Sequence, residues 1–136
     1  MKLVVLDHAD WVMLNRQNKV SNSVNFNNSI VLMRSHPATK NWRPAISFFS
    51  TLIPLAIVGS VILIFAFWWL GLLLLFLSAV PLRKAYKTEI MREVLLSSEA
   101  NPNFYTQALE IGALFTSVKE EDLVGIAYID KSVFRY

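Results

Sequence analysis

AISFFSTLIPLAIVGSVILIFAFWWLGLLLLFLSAVPL, Ala45 to Leu82, runs for 38 residues without one Asp, Glu, Lys, Arg, His, Asn or Gln. A helix crossing a hydrocarbon core of roughly 30 Å needs about 20 apolar residues. As one straight helix at about 1.5 Å per residue, the stretch would reach roughly 57 Å, nearly twice that thickness. It therefore predicts an integral membrane protein with an α-helical transmembrane hairpin of two spans. The competing arrangement is a single crossing with a re-entrant interfacial piece.

The flanks favour two spans. Arg34, Lys40 and Arg43 precede the block, and Arg83, Lys84 and Lys87 follow it. Lys and Arg beside a span prefer the cytoplasmic face, so two basic flanks predict two cytoplasmic ends. The turn is placed at Trp68-Trp69, an interfacial aromatic pair followed by Leu70-Gly71. This gives spans of about 46–67 and 70–82 inside a hairpin of 45–82. A turn at Gly59-Ser60 is the alternative. Trp42, Arg43, Trp68, Trp69, Arg83 and Lys84 are the expected interface anchors, with long cationic side chains reaching back to the headgroups. Ser50, Ser60 and Ser78 can bond across helices or to their own backbone, and Gly59 or Gly71 can admit close helix approach.

Charged residues make up 17% of the chain, against about 25% in an ordinary soluble domain; the deficit sits in the block. Cysteine is absent, which excludes disulfides and thiol chemistry. The apolar run Leu3–Leu6 ends at Asp7, far short of a secretory core, so insertion is expected to rely on the internal block.

Residues 1–44 carry a net charge of +4, from six Lys/Arg and two Asp. Attraction to anionic lipids accounts for this, and the lack of a dense basic cluster with interleaved aromatics argues against nucleic acid. The region is expected to be a cytoplasmic, β-hairpin-like segment. Lys2–Leu6, Trp11–Leu14, Val20–Phe26 and Ile30–Met33 read as short strands separated by Asn- and Asp-rich turns. Asp7-His8-Ala9-Asp10 combines two carboxylates with an imidazole, yet a metal site needs more ligands. A polar turn is the expectation there.

Residues 83–136 are expected to form a cytoplasmic region of two amphipathic helices and a strand-like tail. Tyr86, Ile90, Val94, Met91 and Leu95 make an apolar stripe beginning at the membrane edge. Asn101-Pro102 opens the second helix, read as extending to Val118. Phe104, Ala108, Ile111, Phe115 and Val118 form a face apolar enough to need covering; the first C-terminal helix is one candidate for that cover, and a partner chain, for which this is the candidate face, is the other. GIAYID and SVFRY favour strand, with Tyr128, Phe134 and Tyr136 as core or interface aromatics.

Four widely spaced glycines exclude Walker and Rossmann loops, and neither HExxH nor GxSxG occurs. No cofactor, metal or catalytic residue is expected. With no ionisable residue in the spans, transport or proton relay by this chain alone is not expected either. The remaining expectation is a non-enzymatic inner-membrane accessory or scaffold subunit, contacting lipid and other membrane subunits or itself. A holin-like pore former and a membrane immunity or exclusion protein are the alternatives.

Overall fold

A computed structural model describes residues 1–131, and the SVFRY tail with Phe134 and Tyr136 lies outside that range. The protein is mostly helical with one small antiparallel sheet. Strand β1 (Lys2–Leu6) leads into helix α1 (His8–Arg16), and strand β2 (Val20–Val24) into helix α2 (Phe26–Ser35). A 3-10 segment, Pro37–Trp42, precedes the long helix α3 (Arg43–Ala66). Helix α4 (Trp68–Leu77) continues through a π-helical stretch, Ser78–Leu82, into α5 (Arg83–Ala100). Helix α6 (Pro102–Glu110), strand β3 (Leu114–Val118), a 3-10 turn and strand β4 (Tyr128–Asp130) complete the chain.

The N-terminal region is not a β-hairpin. Strands β1 and β2 exist, but they do not pair with each other: the strand order is β2-β3-β1-β4. Both pair antiparallel with β3, through Leu3↔Ser117 on one side and Asn22↔Thr116 on the other. The runs Trp11–Leu14 and Ile30–Met33 are helical, and each helix starts from a side-chain cap. The Asp7 carboxylate accepts from the Ala9 N–H, and the Asn25 side chain accepts from the N–H groups of Asn27 and Asn28. Such residues satisfy backbone donors that a helix start leaves open. The polar clusters read as turns are helix starts, and Trp11 with Leu14 makes an i, i+3 pair buried beneath the sheet.

One core unites the two ends of the chain. Val4 and Leu6 of β1 face Leu114 and Val118 of β3, over Trp11, Leu32, Met33, Ile90, Val94, Phe104 and Ala108. Ile46, in the first turn of α3, is fully buried in the same cluster. Two small regions, neither large enough for a sizeable core alone, therefore share one.

The second C-terminal helix is shorter than expected. It stops at Glu110, and Gly112 adopts φ +65°. The Gly112 N–H donates to Leu109 O and the Ala113 N–H to Ala108 O, the pair of bonds with which a glycine in left-handed conformation closes a helix. The chain then switches to strand period, with Leu114, Thr116 and Val118 inward. Phe115 and Val118 belong to β3, and the five-residue face does not exist as one helix surface.

Helix α3 and the helix beginning at Trp68 are long and apolar enough to cross a membrane. Only 6% and 11% of their most apolar windows are buried within the chain; a core helix of a soluble protein would be mostly covered. They fold back on each other at Phe67, whose φ −142° and ψ 78° break the helix. Ile64 meets Gly71 near the tip, and Phe49 stacks on Tyr86 at 5.4 Å near the base. The paired residues lie almost equally far from Phe67, as an antiparallel hairpin requires. A Cβ on Gly71 would come within 2.5 Å of the Ile64 backbone nitrogen, so glycine permits this approach. The Ser60 and Ser78 hydroxyls donate to their own helices, at Ala56 O and Leu74 O. The Ser50 hydroxyl likewise donates to its own helix, at Ser47 O, and also accepts from Arg34 at 3.0 Å, tying α2 to α3.

Gly112→Ala should destabilise the protein by about 1–2 kcal/mol, the usual cost of a left-handed conformation for a residue with a Cβ. Denaturant unfolding in mild detergent, followed by circular dichroism, measures this; an unchanged midpoint would contradict the helix-closing role.

Candidate functional site

The only His-carboxylate motif is committed to structure. Asp7 caps α1, and His8 Nε2 donates to the Ser98 carbonyl at 2.8 Å, joining α1 to α5. The His8 ring packs at 5.5 Å from Tyr105, and Trp11 stacks on Tyr105 at 4.8 Å. Trp11 Nε1 donates to Asn22, whose amide donates to Asn15. The Tyr105 hydroxyl donates to Leu6 O at 3.1 Å. Burial pushes that hydroxyl well above the usual phenol range, which keeps it a neutral donor. His36 accepts the Ala38 N–H through Nδ1 and packs edge-on to Phe104. Among the described residues no group of three or more His, Cys, Asp or Glu could hold a metal ion.

The expected partner face is largely spent on the chain's own core. Phe104, Ala108 and Val118 are fully buried; Phe115 is half-buried, and only Ile111 is exposed. An apolar face needs cover, and for Phe104, Ala108 and Val118 the chain's own sheet and α5 supply it.

The six expected anchors divide between two ends. Trp68 and Trp69 are exposed at the hairpin tip. Trp42, Arg43, Arg83 and Lys84 sit at its base. Trp42 packs against the core, and Arg43 donates to the Ser35 carbonyl at 3.1 Å, bracing the end of α2. Trp42 also lines a small apolar pocket of about 300 Å³ with Phe49, Leu82 and Tyr86.

Arg83 and Lys84 do more than flank the block. With Lys87 they form one wall of a cleft of about 650 Å³. The opposite wall is Val24, Asn25, Phe26 and Asn27, where β2 passes into α2; Ala79 and Val80 close the side towards the hairpin. No carboxylate lines this cleft, and the first turn of α2 holds no acidic residue. Most other cations are engaged: Lys2 with Glu120, Arg16 with Glu99, Lys19 with Asp122, Arg92 with Glu89 and Lys119 with Glu121. The sequence reading missed the Asn25–Asn27 wall because it read this stretch as strand and turn. Recognising Asn25 as a helix cap would have brought the α2 N-terminus into view.

Fold and site together define a small α+β domain carrying a two-helix apolar hairpin, with a basic cleft at the joint. Comparison with protein-family models, curated proteins and solved structures found no match to this chain.

Tyr105→Phe should cost about 1–2 kcal/mol by removing a buried donor from the Leu6 carbonyl. A group whose folded-state pKa is raised contributes fully below its unfolded value and loses the contribution as pH climbs. The difference should therefore stay constant between about pH 6 and pH 9, below the ordinary phenol value of about 10. Unfolding of both proteins across that range checks it; a difference that varies with pH there would contradict the neutral-donor assignment.

Proposed function

We propose that the chain is an integral protein of the inner membrane whose α3–α4 hairpin anchors a folded domain to the cytoplasmic face. It works by contact, as a non-enzymatic accessory or scaffold subunit of a larger membrane assembly. The observation carrying this reading is the sheet. Strands β1 and β2 precede the hairpin while β3 and β4 follow it, and all four belong to one sheet. If the hairpin enters a bilayer, both ends must lie on the same side, because hydrogen-bonded strands cannot pair across a hydrocarbon core. This argument is independent of the charge rule and agrees with it.

The outward side chains of the hairpin support the setting. Phe48, Leu55, Val58, Ile62, Phe65, Leu73 and Phe76 are all exposed, a contiguous apolar surface that water would not tolerate. Helix α3, with 24 residues, spans about 36 Å and covers a hydrocarbon core. The second arm has only 15 residues from Trp68 to Leu82, about 22 Å, and needs Arg83 and Lys84 to extend their charges to the headgroups. A self-assembling pore fits less well. Its helices need a polar face to line water, and both ends of this hairpin are fastened to one folded domain.

The absence of cysteine permits a clean test by single substitution. Lys40→Cys and Ala100→Cys should resist a membrane-impermeant maleimide in intact spheroplasts and react after lysis. Trp69→Cys should react before lysis. Opposite behaviour of Lys40→Cys and Ala100→Cys would mean one crossing, and equal protection of all three would leave the hairpin outside the bilayer.

A further inference from the structure

We propose that the cleft between α5 and the start of α2 is a discrete site for the phosphate of one anionic lipid headgroup. This deepens the membrane reading and rests on it.

Three observations converge. Arg83, Lys84 and Lys87 lie on one wall, and none of them makes an ion pair among the described residues. Three cations held together without a counter-charge repel one another, and a phosphate relieves that repulsion. Arg83 adds a planar fork of N–H donors matched to phosphate oxygens, while the two lysines act as mobile point charges.

The facing wall supplies neutral donors. Asn25 spends its side-chain oxygen on the Asn27 and Asn28 N–H groups, which leaves its amide nitrogen to donate. Asn27 brings a second amide to the same wall. The positive end of the α2 dipole adds to the field in the same sense.

Position selects lipid over a soluble phosphate. The remaining wall is Ala79 and Val80, at the base of the hairpin, and Val80 is exposed. A headgroup in the cleft keeps its acyl chains alongside the apolar helix, where the proposed hydrocarbon boundary lies. A free anion would gain nothing from that wall. General surface attraction does not require the cleft, since it depends on the number of cations near the membrane and little on their arrangement.

That contrast provides the test. The full-length protein is purified in mild detergent with mixed phosphatidylcholine and phosphatidylglycerol, and the retained lipids are counted by native mass spectrometry. The wild type should keep one phosphatidylglycerol. Lys87→Gln, at an exposed position, should weaken retention by about fivefold, the usual effect of one cation near an anionic surface. Arg83→Gln should weaken it at least as much. Lys40→Gln removes the same charge from the other basic flank and should leave retention unchanged. Equal losses in Lys40→Gln and Lys87→Gln would overturn the site in favour of diffuse attraction. Retention of phosphatidylcholine and phosphatidylglycerol alike would overturn it too. Displacement of the lipid by millimolar inorganic phosphate would reassign the cleft to a soluble anion. A correct topology by cysteine labelling combined with any of these results would sink the lipid site and leave the anchoring role standing.

Discussion

The antiparallel pairing of β1 with β3 holds this architecture together. Lys2, Leu3 and Val4 pair with Val118, Ser117 and Thr116, so the first strand of the chain is fastened to one that follows both long apolar helices. Strand β3 also receives all five residues of β2 on its other edge. Without β3 the N-terminal strands would lack their common neighbour, and Val4, Leu6 and Val24 would lose the surface they pack against. Closing so long a loop costs entropy, although the cost rises only slowly with length. The hairpin reduces the problem further, because Phe49 stacked on Tyr86 brings the two chain ends back to one place.

That joint makes domain and hairpin a single object. Ile46 belongs to α3 yet is buried in the domain core, and Ile90 and Val94 of α5 join it there. The helix from Trp68 runs without a cap through the π stretch at Pro81 into α5. A tilt of either apolar helix therefore moves residues that also support the sheet. In a bilayer this would couple the position of the domain to the hairpin more directly than a flexible linker would. The basic cleft lies at the same joint, so an anion held there would bridge α5 and the start of α2.

Legibility in the sequence followed the length and purity of the pattern. The apolar block could be read because 38 residues without a strongly polar side chain leave room for two long apolar helices, and the helix break falls at Phe67, directly before the tryptophan pair. The stripe Tyr86, Ile90, Val94 was equally plain and packs against the core. The short helices were not. Helix α1 has nine residues and α2 has ten, so each shows fewer than three repeats of a period of about 3.6 residues, and their apolar runs resemble strands. The asparagines misled for a related reason. Asn25 caps a helix, Asn28 bonds the Ile111 and Gly112 carbonyls, Asn22 links Trp11 to Asn15, and only Asn18 takes the left-handed turn conformation. Loop composition was visible, but the tertiary partners of those amides were not. Gly112 is the stop signal in α6 that the apolar spacing hides: the helix ends at Glu110, and Phe115 and Val118 fall on a central strand rather than on the same helix face.

Strands that precede and follow the apolar hairpin form one sheet, and the proposed membrane setting requires that sheet to persist when the hairpin is inserted. A disulfide tests it directly, because the native chain has no cysteine and Leu3 lies opposite Ser117 in the β1–β3 register. Directly paired residues in an antiparallel sheet stand about 4.5–5.5 Å apart at Cα, within disulfide reach. The Leu3→Cys/Ser117→Cys protein should remain in carbonate-washed membranes and form an intramolecular disulfide on mild oxidation, identified as a linked peptide pair by mass spectrometry. Free thiols at both positions in the membrane fraction, or cross-links only between separate chains, would contradict the account.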